Sequence, residues 1–257
     1  IEMRADTPDG QVRFSLGDGD GNSYSDTSSF VISDGEWHYM CDTFGGGVVN
    51  RYHNGINYVD DDAAGFTELT ASTLTEYSLM IGCLADPDYS DYCVNGGVTN
   101  YYFDGTLDEI GYWNTELTGN QIISLYNIND GLPYSSFTEG SGSGSAWREI
   151  PYEIFDTPKG LSYDDFTPGL LTDLTAYWKF DEASGNAADA TGNGWTGTSI
   201  AITYGTAGVL NQSNMENPPY AFYSQDAGDK VWIEDFKCAN DFAAPYSWNI
   251  WVKSGET

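Results

Sequence analysis

The chain has 257 residues, 40% hydrophobic and 15% aromatic, and its 39 acidic against 9 basic side chains give a formal charge of −30. That is core material for one large β domain or two smaller ones. The charge excludes nucleic acid and anionic membranes as partners, because phosphate binding needs basic residues that release counterions. No stretch reaches the roughly 20 apolar residues of a membrane span, so membrane insertion is not expected. Solubility in salty surroundings, cation binding and contact with neutral ligands remain as uses for the acidic surface. The chain opens on Ile1 without a signal peptide and reads as a mature or trimmed piece.

Strand patterns fill the first half. "QVRFSLGDG", "EWHYMCDTF", "VVNRYHNGINYV", "EYSLMIGCL" and "YYFDGTLDEIGYWN" alternate apolar and polar residues between Gly, Asp and Asn turns. Within them, "GDGDGNS" has the Asp18, Asp20 and Asn22 spacing of an EF-hand start. Ser23 and Ser29 stand where that loop needs Gly and Glu, so a hairpin tip is the expectation. Asn54-Gly55 suits a two-residue hairpin turn, since both positions tolerate positive φ. "LTGNQIISLYN" predicts a helix near 118–127, with Thr118 as N-cap and Ile122, Leu125 and Tyr126 at helical spacing. Residues 136–168, rich in Gly and Ser and then interrupted by Pro, read as a linker. Strand patterning returns from 169, and in "YSWNIWVK" Trp248, Ile250 and Val252 alternate with Asn249, Trp251 and Lys253. One short helix among so many strands predicts an antiparallel sandwich.

The four cysteines lack metal-type CxxC spacing. Cys83 and Cys93 flank one short polar loop that a disulfide would close in an oxidising compartment, leaving Cys41 and Cys238 to pair; four buried thiols are the alternative. Catalysis is not indicated. The adjacent pairs Asp108-Glu109 and Glu234-Asp235 are expected to point to opposite strand faces, so neither offers two carboxylates to one cleft. His38 and His53 lie in no nucleophile motif and read as solvated or packing residues.

"LTAYWKFDEASGNAADATGNGWTG" resembles the opening of a laminin G-like domain of the concanavalin A-like lectin superfamily, and "YSWNIWVK" is similar to a strand that follows it. "QVRFSLGDG", "DGEWHYMCDTF", "VVNRYHNGINY" and "YYFDGTLDEIGYWNTELTGNQIISLYN" resemble the rest of that fold, the last its closing signature. The order is inverted: 1–135 match the later part of a domain and 169–257 the earlier part. The resemblance implies an all-β antiparallel jelly-roll sandwich and a noncatalytic module for glycan binding, adhesion or spacing. Three arrangements complete such a fold: a window cut from a tandem array, a circularly permuted single domain, or completion between copies. Half a sandwich alone would expose its core face and unpaired edges. Completion between copies leads, because laying "WNIWVKSGET" before "IEMRADTPDGQVRFSL" restores the family's order. The leading expectation is an extracellular or cell-surface fibre subunit, of which a phage fibre is one form, polymerising head to tail with itself. The alternative is a permuted lectin-like module that binds cell-surface or matrix glycans.

Calcium is the expected cofactor. Asp181, Asp189 and Asn193 supply oxygens in a Gly-rich loop, and by resemblance Asp108 would meet Asp189 at a sheet-edge calcium. The competing reading is that Asp189 and Asn193 shape a tight turn. For glycans, Trp195, Tyr204, Tyr220, Tyr89 and Tyr92 lie in loop-like sequence where an aromatic face can stack on a sugar.

Overall fold

The computed structural model describes residues 2–6, 11–17, 23–62, 78–82, 103–139, 169–210, 220–224, 229–234, 236 and 245–255. The first half contributes β1 (Glu2–Asp6), β2 (Gln11–Gly17), β3 (Ser23–Val31), β4 (His38–Gly45), β5 (Val48–His53), β6 (Ile56–Asp62), β7 (Ser78–Ile81) and β8 (Gly105–Trp113). After one helix, α1 (Gly119–Tyr126), come β9 (Leu174–Trp178), β10 (Thr198–Ile200), β11 (Thr203–Ala207), β12 (Tyr220–Ser224), β13 (Lys230–Glu234) and β14 (Tyr246–Ser254).

All of these strands pair antiparallel. The main sheet has the order β11-β12-β8-β14-β4-β5-β6, with β9 also on β8; β10-β13-β7 and β1-β2-β3 form two smaller sheets. β12 pairs with the first residues of β8 and β9 with the last, so the two lie end to end along one side of it. On the other side, β14 fits between β8 and β4, with Trp248 opposite both Tyr112 and Asp42. A strand from the end of the sequence therefore occupies the middle of the main sheet.

Local sequence explains the joints. Asn54 and Gly55 turn β5 into β6 with φ of 49° and 77°, the two positive values that such a hairpin requires. A side chain at Gly55 would also meet the Tyr126 ring at 2.9 Å. α1 begins with a reciprocal capping box between Thr118 and Gln121 and ends at Asn127 in the left-handed region. Both ends of the helix thus satisfy backbone groups that it cannot bond itself. β2 and β3 close at Gly17 opposite Ser23, placing the "GDGDGNS" stretch at a hairpin connection; residues 18–22 lie outside the described residues.

The main sheet is apolar on both faces because both are covered. Met40, Ile110, Ile250 and Val252 face the inner core, shared with Ile81, Val231 and Ile233 of the second sheet. Tyr39, Cys41, Trp113 and Trp251 face an outer cluster under Ile122 and Leu125 of α1. The alternation in "YSWNIWVK" suggested a single core face, but Trp251 on its other side is buried too. It packs against Tyr39 (centroids 5.2 Å apart) and Tyr126 (5.9 Å). Burying one such aromatic contributes about 2–3 kcal/mol.

Two expectations change here. Cys41 is a free thiol rather than half of a bridge to Cys238, since β4 turns it into the outer cluster, where it is fully buried. Burial pushes that thiol well above its ordinary pKa. Cys83, Cys93 and Cys238 lie outside the described residues. The beginning of the expected linker is also packed: Phe137 is buried against Tyr177, Tyr134 and Trp113. Residues 140–168 lie outside the described residues.

Candidate functional site

The Asp108-Glu109 pair departs most from its expectation. In a regular strand Leu107 and Ile110 would face opposite ways, yet both lie in the inner core. The register shows why: Asn249 opposes Gly111 while Trp251 opposes Asp108, so Ile250 faces two residues of β8. This is a β-bulge, and Glu109 takes its left-handed position at φ 47°. Asp108 and Glu109 therefore point to the same, outer face, and Asn249 Nδ2 donates to the Glu109 carbonyl at 3.0 Å.

The two carboxyls have different surroundings. Asp108 Oδ2 accepts from the Val209 N–H at 2.8 Å, and its Oδ1 from the Glu109 N–H at 2.9 Å. Both Glu109 oxygens are buried without a hydrogen bond of good geometry. Burial pushes Glu109 up to about 8, with Asp181 adding to the rise while the Tyr177 hydroxyl and Lys179 oppose it. Burial and then the Glu109 charge also hold Asp108 well above the usual carboxylate range. The two N–H donors to Asp108 favour its charged form and partly oppose that rise. Each residue is 1% exposed, so the pair is sealed from any substrate.

The proposed calcium ligands are engaged elsewhere. Asp189 Oδ1 accepts from the Tyr177 N–H, the Thr191 N–H and the Thr191 hydroxyl, and Oδ2 from the Trp195 N–H. Asn193 donates to the Thr175 carbonyl, and Asp181 pairs with Lys179 at 2.8 Å. Among the described residues no three His, Cys, Asp or Glu side chains converge as a metal set. These residues do not fit calcium as a group; Asp189 and Asn193 shape the 189–195 turn.

Of the aromatic candidates, Trp195 packs on Phe236 at 5.0 Å and its carbonyl accepts from Trp178 Nε1, so it serves the core. Tyr220 opens β12, and Tyr89 and Tyr92 lie outside the described residues. Tyr204 lines a cleft. This open cleft of about 310 Å³ is formed by Ala183, Ser184, Gly185, Asn186, Ser199, Ala201, Ile202 and Tyr204. The Tyr204 and Ser199 hydroxyls are 2.7 Å apart, which fixes the ring, and the turn at Ala201 (φ 57°) carries β10 into β11. Glu182 anchors the opposite wall by accepting from the Ala188 N–H at 2.9 Å. Ser184, Asn186 and Ser199 escaped sequence reading because the two walls share no motif and only the fold turns them toward one another.

Stacked antiparallel sheets with an apolar core between them define an all-β sandwich. Residues 1–123 match a laminin G family model described as the concanavalin A-like lectin/glucanases superfamily, so this part of the chain is similar to that family. No curated protein and no solved structure gives a significant match. Among the described residues, no helix is long and apolar enough to cross a membrane.

Proposed function

We propose that the chain is a noncatalytic, extracellular lectin-like or adhesive module that holds a neutral, hydroxyl-rich ligand such as a glycan in the Tyr204 cleft. One observation carries this reading: in a chain of charge −30, the cleft lining contains no charged residue. An uncharged wall with hydroxyls, an amide and one aromatic face suits a polyol better than an ion. The sealed Asp108-Glu109 pair counts against glycan cleavage, which needs two carboxyls flanking the bond in an open cleft. A neutral-glycan array followed by calorimetry tests the proposal. Binding by the wild type and at least a tenfold loss in Asn186→Ala are expected. No glycan bound on the array, or unchanged affinity in the variant, would sink it.

The second reading is a fibre subunit that polymerises head to tail; within the chain itself β14 already pairs with β4 and β8, so a fibre exchanges that strand between copies. The segment that follows the linker supplies the central strand, and in a fibre the β14 of one copy fills the slot between β4 and β8 of the next. Sedimentation across a dilution series separates the two readings. A fibre gives long, concentration-dependent assemblies, whereas a monomer that stays folded at high dilution excludes it.

A further inference from the structure

His38 begins β4 and His53 ends β5, and both are buried, at 5% and 8% exposure. His38 Nδ1 lies 2.9 Å from His53 Nε2, and His38 Nε2 lies 2.8 Å from Asp34 Oδ1. A hydrogen-bonded chain thus runs from a carboxylate whose side chain is 56% exposed through one imidazole to a second. Phe30, near the end of β3, stacks on His53 at 4.0 Å and 11°. The turn after β3 is tied in as well: the Glu36 N–H donates to Asp34 Oδ1 and the Gly35 N–H to Ser254 Oγ of β14.

Proton counting shows what this arrangement tolerates. With both rings neutral, His38 gives its Nε2–H to Asp34 and accepts the His53 Nε2–H at Nδ1. With one added proton, His38 donates from both nitrogens and His53 accepts. A second proton sets two N–H groups and two positive charges against each other across 2.9 Å, and that link must break.

We propose that Asp34, His38 and His53 form an acid-sensitive clasp, which holds the turn at 33–37 and the end of β3 against the β4–β5 hairpin and opens when both rings are charged. The groups facing it are Asp34 and Glu36 from the turn, Phe30 from β3, Ile56 and Tyr58 from β6, and Val252 of β14, with Lys253 beside it. Burial and then the His38 charge lower His53 from 6.5 to about 4, with Asp34 opposing them. Between those values the unfolded chain takes up a proton that the folded chain refuses, so stability falls with pH through that window. The clasp is independent of the glycan reading.

Imidazole nitrogen NMR on the intact protein, combined with hydrogen exchange at pH 7 and pH 4.5, tests this. The His53 ring is expected to titrate near 4, and its Nε2 signal and that of His38 Nδ1 should change together as the link between them breaks. Amides of residues 30–38 should gain exchange before those of β8 and β14. A His53 ring that titrates near 6.5, or uniform exchange across the sheets, overturns the clasp. In His53→Gln the decline of melting temperature between pH 6.5 and 4 should be shallower than in the wild type, and an equal slope also overturns it. If that variant does not fold, the wild-type titration decides.

Discussion

Glu109 combines three costs at one position: a left-handed backbone without glycine, a fully buried carboxyl and no hydrogen bond of good geometry to either of its oxygens. Residues in that backbone region cost on the order of 1–3 kcal/mol and persist only where the surroundings hold them. The sign of its pH effect follows from its raised pKa. From 4.5, its ordinary value, to about 8 the folded chain keeps a proton that the unfolded chain has lost, so stability falls as pH rises through that window. At about 1.4 kcal/mol per unit the limit is a few kcal/mol, shared with Asp108. Glu109→Gln should therefore melt higher than the wild type at pH 8 and show a flatter decline from pH 5. A variant that melts lower at pH 8 would mean that the carboxylate is stabilised in the fold by a partner.

At the level of elements, α1 gives the cleanest test. Its Thr118 cap bonds the Gln121 N–H in a reciprocal box, and such a cap is worth about 1 kcal/mol. Thr118→Ala should lower the melting temperature by about 2–4 °C and expose Trp251 to quenching, since the helix covers that ring through Tyr126. No change in either would show that packing alone holds the helix. The element scale is also where the sequence was most legible. The Asn54-Gly55 turn, the capped helix and the alternation in β5 and β14 each rest on short-range chemistry visible in a few residues. The bulge at Glu109 was not visible, because "GTLDEIGYW" alternates acceptably without it and only the register against β14 requires the extra residue. The same reason hid the cleft and the His38–His53 contact: each joins walls or rings whose proximity is set by strand pairing rather than by spacing along the chain. Asp189 was singled out as a calcium ligand, and its hydrogen bonds fit the competing reading of a residue that shapes the turn.

For the whole molecule, charge dominates. A formal charge of −30 opposes compaction through self-repulsion, and salt screens exposed charges over about 10 Å at 0.1 M. Raising sodium chloride should therefore increase the melting temperature over the range where screening changes. The buried Arg51–Asp42 pair, 1% exposed on both sides, is shielded from this effect. A melting temperature that falls with salt would indicate that attractive surface pairs outweigh the repulsion.

The position of β14 also sets an order in time. Met40 and Ile250, neighbours in the finished sheet, are separated by most of the chain, so their meeting carries a large loop-closure cost. During synthesis β4 and β8 emerge long before the strand that joins them. At about 5–20 residues per second the gap lasts roughly ten seconds, and for that interval the growing chain presents two open strand edges to its neighbours.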